Sequence, residues 1–343
     1  MTLLTTHNPM HALSADTAAE LMRMYIDQDT DPLLVGACLA LMAQREPRAD
    51  ELFAFAQELL KVAEPFPRSS LRLLDTCGTG GDGASTANLS TLAALLLAHL
   101  GVPVAKHGNR AATSLCGSAD VLEGLGYVLQ RTPEAVANDL QTHQFAFLFA
   151  PSYHPLLGRL KEIRKRLGIP TIFNVLGPLL NPARPALQVL GVNRRSLMQP
   201  MAQALAMQGI ERAFVVHGLS AEGCGMDELS IEGPSFVVEV RDNTVREEVT
   251  LVPRELGMGM PAQHALRIES REEAIDVASA MLAGQLHPAY RDEVANAVAL
   301  QAALGLVLHR DQALTSLCDG LHEAKAVLQR GFTAPFAREA AHA

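Results

Sequence analysis

The chain has 343 residues, with 28 basic against 37 acidic side chains, 48% hydrophobic and 19% charged residues, and a formal net charge of −9. That length fits one large domain or two ordinary ones and the composition excludes a disordered chain or a low-complexity fibre. The acidic balance argues against sequence-independent binding to nucleic acid or anionic membranes, which needs surplus positive charge, but leaves room for a local basic pocket holding a small anion.

The first seventy residues read as helices. Ser14 caps a segment with Leu21, Met22, Tyr25 and Ile26 at helical spacing, Asp31-Pro32 sets a cap and a first-turn proline before Leu33 to Met42, and a third helix is expected from about Ala49 to Val62. Pro65 and Pro67 break the pattern, and from Leu71 short apolar runs alternate with glycine-rich turns and helical stretches, the mark of an α/β fold. The expected strands are Leu71 to Thr76, Val102 to Lys106, Phe145 to Phe149, Ala186 to Val192, Ala213 to Val216 and Phe236 to Val240. Leu89 to Leu100, Ala119 to Leu125 and Leu197 to Met207 are the clearest helices between them. Four prolines from Pro170 to Pro185 frame the apolar stretch Ile172 to Leu180, which reads as a segment crossing back to the helical region. From Arg271 the chain is helical, and its last ten residues are expected to fray.

Five cysteines, Cys38, Cys77, Cys116, Cys224 and Cys318, form no C-x-x-C pair, so reduced thiols are expected rather than a disulfide framework or a zinc knuckle. Met1 to Ala12 lacks the basic residue and long apolar run of a secretory signal, and the apolar stretch Leu92 to Leu100 is half a membrane span. A soluble, cytoplasmic protein is expected.

The most informative segment runs from Asp75 to Thr91. Gly78, Gly80, Gly81 and Gly83, between a strand and a helix, allow backbone amides to converge on a phosphate beside a helix N-terminus. Gly78, Gly80 and Gly83 also satisfy G-x-G-x-x-G, but Lys106 and His107 stand where a dinucleotide site expects an acid, and no Gly-Lys-Ser/Thr closes a P-loop. A purely structural turn rarely needs four glycines followed by Thr86, Asn88, Ser90 and Thr91. The second cluster, Lys106 to Arg110, carries two fixed cations, a histidine and an amide, and small residues through Asp120 would let a ligand approach the backbone. A solvated charge run is the plain alternative for this cluster. Asp227 and Glu228, in a loop after the strand ending at His217-Gly218, are surface charge or, beside a polyphosphate cradle, the hard oxygen ligands magnesium requires.

Gly78-Thr-Gly-Gly-Asp-Gly83 with Asn88-Leu-Ser-Thr91, Lys106-His-Gly-Asn-Arg110 with Gly117-Ser-Ala-Asp120, and Asp227-Glu228-Leu229-Ser230 together resemble the motif set of the anthranilate phosphoribosyltransferase family. The likeness continues through Phe149 to Pro155, Ile163 to Ile169, Thr171 to Asn174 and Leu176 to Pro182, and spans about Leu13 to Gly331. The resemblance implies a fold of the nucleoside phosphorylase and phosphoribosyltransferase type. A small helical N-terminal domain, residues 1–70 completed by about 170–185, would join a large α/β domain, residues 71–343, with a central, mostly parallel sheet. It also implies homodimers formed through the helical domain. Ala87 stands where the family often has an aromatic residue and is expected to widen the helix entrance near the sugar; Leu89 and Thr113 are milder departures.

By the same resemblance the substrates are 5-phosphoribosyl 1-pyrophosphate with Mg2+ and anthranilate, in tryptophan biosynthesis. Gly78, Thr79, Gly80, Gly81, Asp82, Thr86, Asn88, Ser90, Thr91, Lys106 and Ser118 are the expected donor contacts, and Ser90, Asp227 and Glu228 the magnesium ligands. Gly78, His107, Asn109, Tyr153, His154 and Arg164 are expected around anthranilate, with the planar fork of Arg164 on its carboxylate. No residue is assigned as a catalytic acid or base, because an aniline nitrogen is already neutral at pH 7. Two alternatives remain: a related transferase acting on another benzoate or on a nucleoside, and a non-catalytic, nucleic-acid-binding paralogue. The intact glycine loop and the charge of −9 oppose the second.

Overall fold

The computed structural model describes residues 9–83, 86–111, 115–259, 266–285 and 293–336. Three helices open the chain, α1 (Ala15–Ile26), α2 (Pro32–Met42) and α3 (Ala49–Lys61). Ser14 caps α1 by accepting from the Thr17 N–H at 3.2 Å, and Asp31 caps α2 by accepting from the Leu33 N–H at 2.8 Å. The α/β part follows as β1 (Leu74–Gly78), α4 (Leu89–His99), β2 (Val104–Gly108), α5 (Ser118–Gly124), α6 (Pro133–His143) and β3 (Phe145–Phe149). Three short helical pieces then cross the molecule, α7 (Ala150–Tyr153), α8 (Leu157–Leu167) and α9 (Phe173–Leu176). After them come β4 (Leu187–Gly191), α10 (Met198–Gln208), β5 (Arg212–Leu219), β6 (Gly225–Met226), β7 (Ser235–Arg241) and β8 (Thr244–Leu251). Helices α11 (Arg271–Leu282), α12 (Glu293–His309) and α13 (Leu317–Arg330) complete the described chain.

The strands form one sheet of order β3-β2-β1-β4-β5-β7-β8, with β6 beside β5. The five strands from β3 to β5 are parallel, and β7 and β8 extend them antiparallel. Alternation along the strands separates two large cores, beside a smaller cluster around Leu73, Ala105, Ala146 and Leu148. Leu74, Val104, Phe147, Val189, Phe214 and Val216 pack with α4 and α12, whose apolar residues run all round because both helices are buried. On the opposite face Leu190, Ala213, Val215 and Val240 share a core with α1, α2, α3 and α10. Ile172, Val175, Leu176, Leu179 and Leu180 belong to that second core, so the crossing segment does return to the N-terminal helices; α8 joins them through Leu160 and Ile163.

Four details differ from the sequence reading. Strand β8 carries Arg246, Glu247 and Glu248, whose charge conceals its period of two and suits an edge strand. Strand β6 has only two residues. Helix α6 was marked by Thr132, which accepts from the Ala135 N–H at 3.3 Å, and by Pro133 in its first turn. The tail does not fray throughout: Ala334 and Phe336 are buried, and the Phe336 ring meets Tyr127 edge-on at 5.1 Å, while residues 337–343 lie outside the described chain. Among the described residues no helix is long and apolar enough to cross a membrane.

Candidate active site

The parallel strand order reverses between β1 and β4, the kind of switch point at which open α/β sheets bind ligands beyond the strand carboxyl ends. Gly78 and Gly191 end these two strands side by side. The loop after β6 lies directly across both. A Cβ on Gly78 would stand 2.1 Å from the Asp227 carboxylate, and one on Gly191 would stand 1.6 Å from the Asp227 carbonyl oxygen. Glycine at both strand ends is therefore what lets Asp227 and Glu228 reach the switch point.

The glycine-rich loop begins there. Gly80, Gly81 and Gly83 hold φ of +66°, +75° and +72°, a conformation that L side chains rarely adopt, and a Cβ on Gly80 or Gly83 would meet nothing within 4 Å. The Thr79 N–H donates to the Gly191 carbonyl at 3.0 Å, and the Asn193 side-chain amide donates to the Gly80 carbonyl at 2.8 Å. The loop is thus moored from one side and open on the other. Its Gly80 N–H donates to Asp227 Oδ2 at 2.7 Å, while the Ser90 N–H, in the first turn of α4, donates to Glu228 Oε1 at 3.0 Å.

Two adjacent carboxylates meet little positive charge here. Desolvation, followed by the charge of Asp82, pushes Asp227 up to about 7, and desolvation and Asp227 push Glu228 well above the carboxylate range. The nearby cation is Lys106 of β2, nearly fully buried, whose ammonium donates to the Thr76 carbonyl and to Ser90 Oγ at 3.3 Å. Burial lowers its pKa, and Asp75, Glu228 and Asp227 act against that shift. Arg110, the second cation of the motif, instead bonds Asp120 at 2.9 Å and Glu123 at 2.8 Å, so it braces α5.

The remaining donor-side candidates line the entry to α4 and α5. The Thr86 backbone bridges Arg267, and Asn88 precedes α4 with its amide donating to the Cys116 carbonyl at 3.1 Å. Asn88 Oδ1 and Thr91 Oγ1 are buried without a partner among the described residues, an unusual state for polar atoms and one a ligand would relieve. Ser118 Oγ donates to the Asn109 carbonyl at 3.1 Å. Ala87 does not widen an entrance: it is 1% exposed, inside the core, with its N–H on the Leu266 carbonyl at 2.9 Å. Thr113 lies outside the described residues.

A second, apolar corner is built from β2, α7 and the crossing segment. The rings of His107 and His154 meet edge-on at 5.3 Å, and His154 Nε2 bonds the Leu180 carbonyl at 2.8 Å. Burial, reinforced by the charge of His154, pushes His107 down to about 3, and burial lowers His154 as well. His107 Nε2 and the Tyr153 hydroxyl are buried without a partner among the described residues; Tyr153 sits deeper, packed with Leu148 and edge-on to Phe66. Asn109 accepts the Arg110 N–H through its side chain at 2.8 Å. Arg164, in the last turn of α8, lies over the Phe173 ring and donates to Asn174 Oδ1 at 3.2 Å, the one hydrogen bond of its side chain among the described residues. Asn174 and the neighbouring Thr171 line a cleft of about 480 Å³ whose opposite wall is Gly80 to Gly83 and Asn193.

Sequence reasoning missed Asn193, Asp75 and Asn181. Asn193 lies two residues past β4, where only the strand order identifies it as facing the glycine loop. Asp75 and Asn181 stand within quoted motifs but pair with each other across the chain at 2.9 Å.

The family model described as glycosyl transferase family, a/b domain, matches residues 70–334. The chain is 42% identical over 322 residues to anthranilate phosphoribosyltransferase of Synechococcus sp. (strain CC9311), covering 94% of this chain and 89% of that protein. It is 39% identical over 334 residues to that of Methanosarcina barkeri (strain Fusaro / DSM 804), covering 96% and 89%. The crystal structure of anthranilate phosphoribosyltransferase from Thermus thermophilus superposes with a TM-score of 0.86 at 38% identity, over 96% of this chain and 95% of that one. The Saccharomyces cerevisiae protein in complex with PRPP and Mg superposes with a TM-score of 0.79 at 25% identity, over 98% of each chain. Likeness of this degree runs nearly end to end in both partners, and on that ground the chain belongs to the anthranilate phosphoribosyltransferase family.

Proposed function

We infer that this chain transfers the phosphoribosyl group of 5-phosphoribosyl 1-pyrophosphate to the amine of anthranilate, releasing pyrophosphate, as an enzyme of tryptophan biosynthesis. The observation that carries this reading is the meeting, at one switch point, of an open glycine loop, the buried Lys106 ammonium and the Asp227–Glu228 pair.

Displacement at an anomeric carbon passes through an oxocarbenium-like state, so the protein's main tasks are to accept the departing pyrophosphate and to hold the amine in line. Amides of Gly78, Thr79, Gly80, Gly81 and Asp82 would cradle the phosphates. Thr86, Asn88, Ser90, Thr91 and Ser118 would add hydroxyl and amide contacts, and Lys106 a charge. Asp227, Glu228 and the Ser90 hydroxyl fit magnesium: their oxygens are hard ligands, and the two carboxylates repel one another without a cation. Among the described residues no three His, Cys, Asp or Glu side chains form a metal cage, and magnesium sites that use substrate phosphates need only one or two carboxylates. When bound, the metal would supply positive charge against the leaving group. Gly78, His107, Asn109, Tyr153 and His154 would enclose anthranilate, and Arg164 would take its carboxylate. With both imidazoles held neutral, they orient the amine without acting as charged groups.

Residues 1–70 with 170–185 would act as the small helical domain and 71–343 as the catalytic one. We also assign a cytoplasmic homodimer formed through the helices, supported by α2, where Leu33 is 79% exposed beside half-buried Leu34 and exposed Ala37. Leu33→Glu should shift the mass in light scattering toward a monomer. The test of activity is turnover of phosphoribosyl pyrophosphate with a panel of benzoates, following loss of anthranilate fluorescence and release of pyrophosphate. Magnesium-dependent consumption of anthranilate is expected; pyrophosphate release with another benzoate alone would overturn the assignment.

A further inference from the structure

Strands β1 and β2 are neighbours whose ladder is short. The pairs β1–β4 and β2–β3 each run for five residues, whereas β1 and β2 register at Leu74 and Val104 alone. The next step of a parallel ladder would join Thr76 to Lys106. Side chains take up its groups instead. The His107 N–H donates to Asp75 Oδ1 at 3.2 Å, the Thr76 carbonyl accepts from the Lys106 ammonium, and the Ala105 carbonyl accepts from Asn181 Nδ2 at 2.8 Å. The sheet therefore opens between two strands just before the motifs that follow them.

Asp75 is the centre of this seam. Its side chain is fully buried, and its second oxygen accepts from Asn181 Nδ2 at 2.9 Å. A buried carboxylate is expensive unless hydrogen-bonded and paired, and a continued ladder would need neither Asp75 nor Asn181. Asn181 closes the crossing segment: its Oδ1 accepts from the Ala183 N–H at 2.9 Å, and the preceding Leu180 carbonyl holds the His154 ring. The Gly177 backbone, at the start of the same wall, lies beside the His107 ring. One carboxylate thus grips both sides of the imidazole corner, the strand that carries His107 and the segment that anchors His154.

We propose that Asp75, acting with Asn181, is a positioning residue of the acceptor pocket: it keeps the seam between β1 and β2 open and sets His107 and His154 against the Gly177–Leu180 wall. This rests on the anthranilate reading of that corner. Asp75 touches neither the reacting atoms nor, in this arrangement, any substrate.

The test is an exchange of the pair. Asp75→Asn would set an amide donor against the Asn181 donor, and Asn181→Asp would set two acceptors face to face. The double exchange, Asp75→Asn with Asn181→Asp, restores one donor and one acceptor between the pair in reversed order, while the Ala105 carbonyl loses the donor that Asn181 gave it. Each single variant should raise the KM for anthranilate roughly ten- to a hundredfold, the scale of one buried polar group left unsatisfied. The dissociation constant for phosphoribosyl pyrophosphate with magnesium, read by calorimetry, should rise much less, and the double exchange should recover part of the loss in anthranilate KM, the unserved Ala105 carbonyl keeping the rest. Single variants with unchanged anthranilate KM, equal losses for donor and acceptor, or a double exchange no better than the worse single variant would each overturn the proposal. Wild-type enzyme is assayed alongside: failure of wild type to consume anthranilate would overturn the functional reading itself, a result distinct from any of these.

Discussion

The glycine-loop region and the histidine corner, proposed above for donor and acceptor, are built on opposite electrostatic plans. Around Gly78 to Gly83 the protein concentrates charge and backbone polarity: Asp82, Asp227 and Glu228 crowd one another, Lys106 stands close, and the Gly80 and Ser90 N–H groups point at carboxylates. Around His107 and His154 charge is removed, since burial holds both imidazoles neutral, and the unpaired polar atoms belong to neutral groups. On the proposed reading, the difference teaches how one site can serve two unlike substrates. A polyanion with a metal needs strong, incompletely balanced fields, while a neutral aromatic amine needs a corner that leaves its lone pair unprotonated, with one guanidinium at the far end to read a carboxylate.

The comparison breaks most visibly if the acidic pair is removed. Asp227→Ala with Glu228→Ala should lower turnover on the order of a thousandfold and steepen the magnesium requirement. It should also raise the melting temperature of the unliganded protein, because two crowded carboxylates destabilise the fold that holds them. Retained turnover with a fall in melting temperature would mean that the pair is structural, and the charged plan of the donor side would be wrong.

The next effect sharpens the acceptor side. Arg164 donates to Asn174, which lines the cleft, and lies over Phe173. Arg164→Ala should cost about 2–4 kcal/mol in acceptor efficiency, roughly thirty- to a thousandfold, with little change in donor affinity. Lysine should rescue part of this loss. Aniline, which lacks the carboxylate, should be a poor acceptor for wild type and suffer much less from the substitution. A cycle of both enzymes with both acceptors measures the coupling, and additive losses would remove Arg164 from the carboxylate.

The two sides were also unequally legible in the sequence. The donor side depends on backbone, and backbone needs leave a mark: clustered glycines with positive φ are visible as Gly78 to Gly83. Most strands were visible for a related reason, since Phe145 to Phe149 and Leu187 to Gly191 are buried on both faces, the first an unbroken apolar run and the second interrupted only by Gln188. The proposed acceptor corner is assembled from β2, α7 and the crossing segment, and its residues gain meaning only from contacts over long chain separations. His107, His154 and Arg164 entered through family resemblance, whereas Asp75 and Asn181, 106 positions apart, carry no local signal that they meet. Strand β8 was missed because exposure on an edge lets charge replace the apolar alternation.

The smallest expected effect tests the neutrality of the acceptor corner through stability. His107 is pushed down to about 3 by burial and by the charges of His154 and Lys106, below the value of about 6.5 for a free histidine. Between those values the unfolded chain binds a proton that the folded chain refuses. The contribution is therefore fully present above about pH 6.5 and is lost as the pH falls from there toward 3, with a slope approaching about 1.4 kcal/mol per pH unit. Asp and Glu side chains add their own acid sensitivity at the lower end, but a His107→Gln variant shares those groups. The measurement is the difference between wild-type and variant unfolding free energies from pH 7 to pH 4.5, where about 2–3 kcal/mol of relative stability should disappear from wild type. Wild-type and variant curves that run parallel would show that His107 can take up a proton in place. The acceptor corner would then tolerate charge, and the contrast with the donor side would reduce to the carboxylates alone.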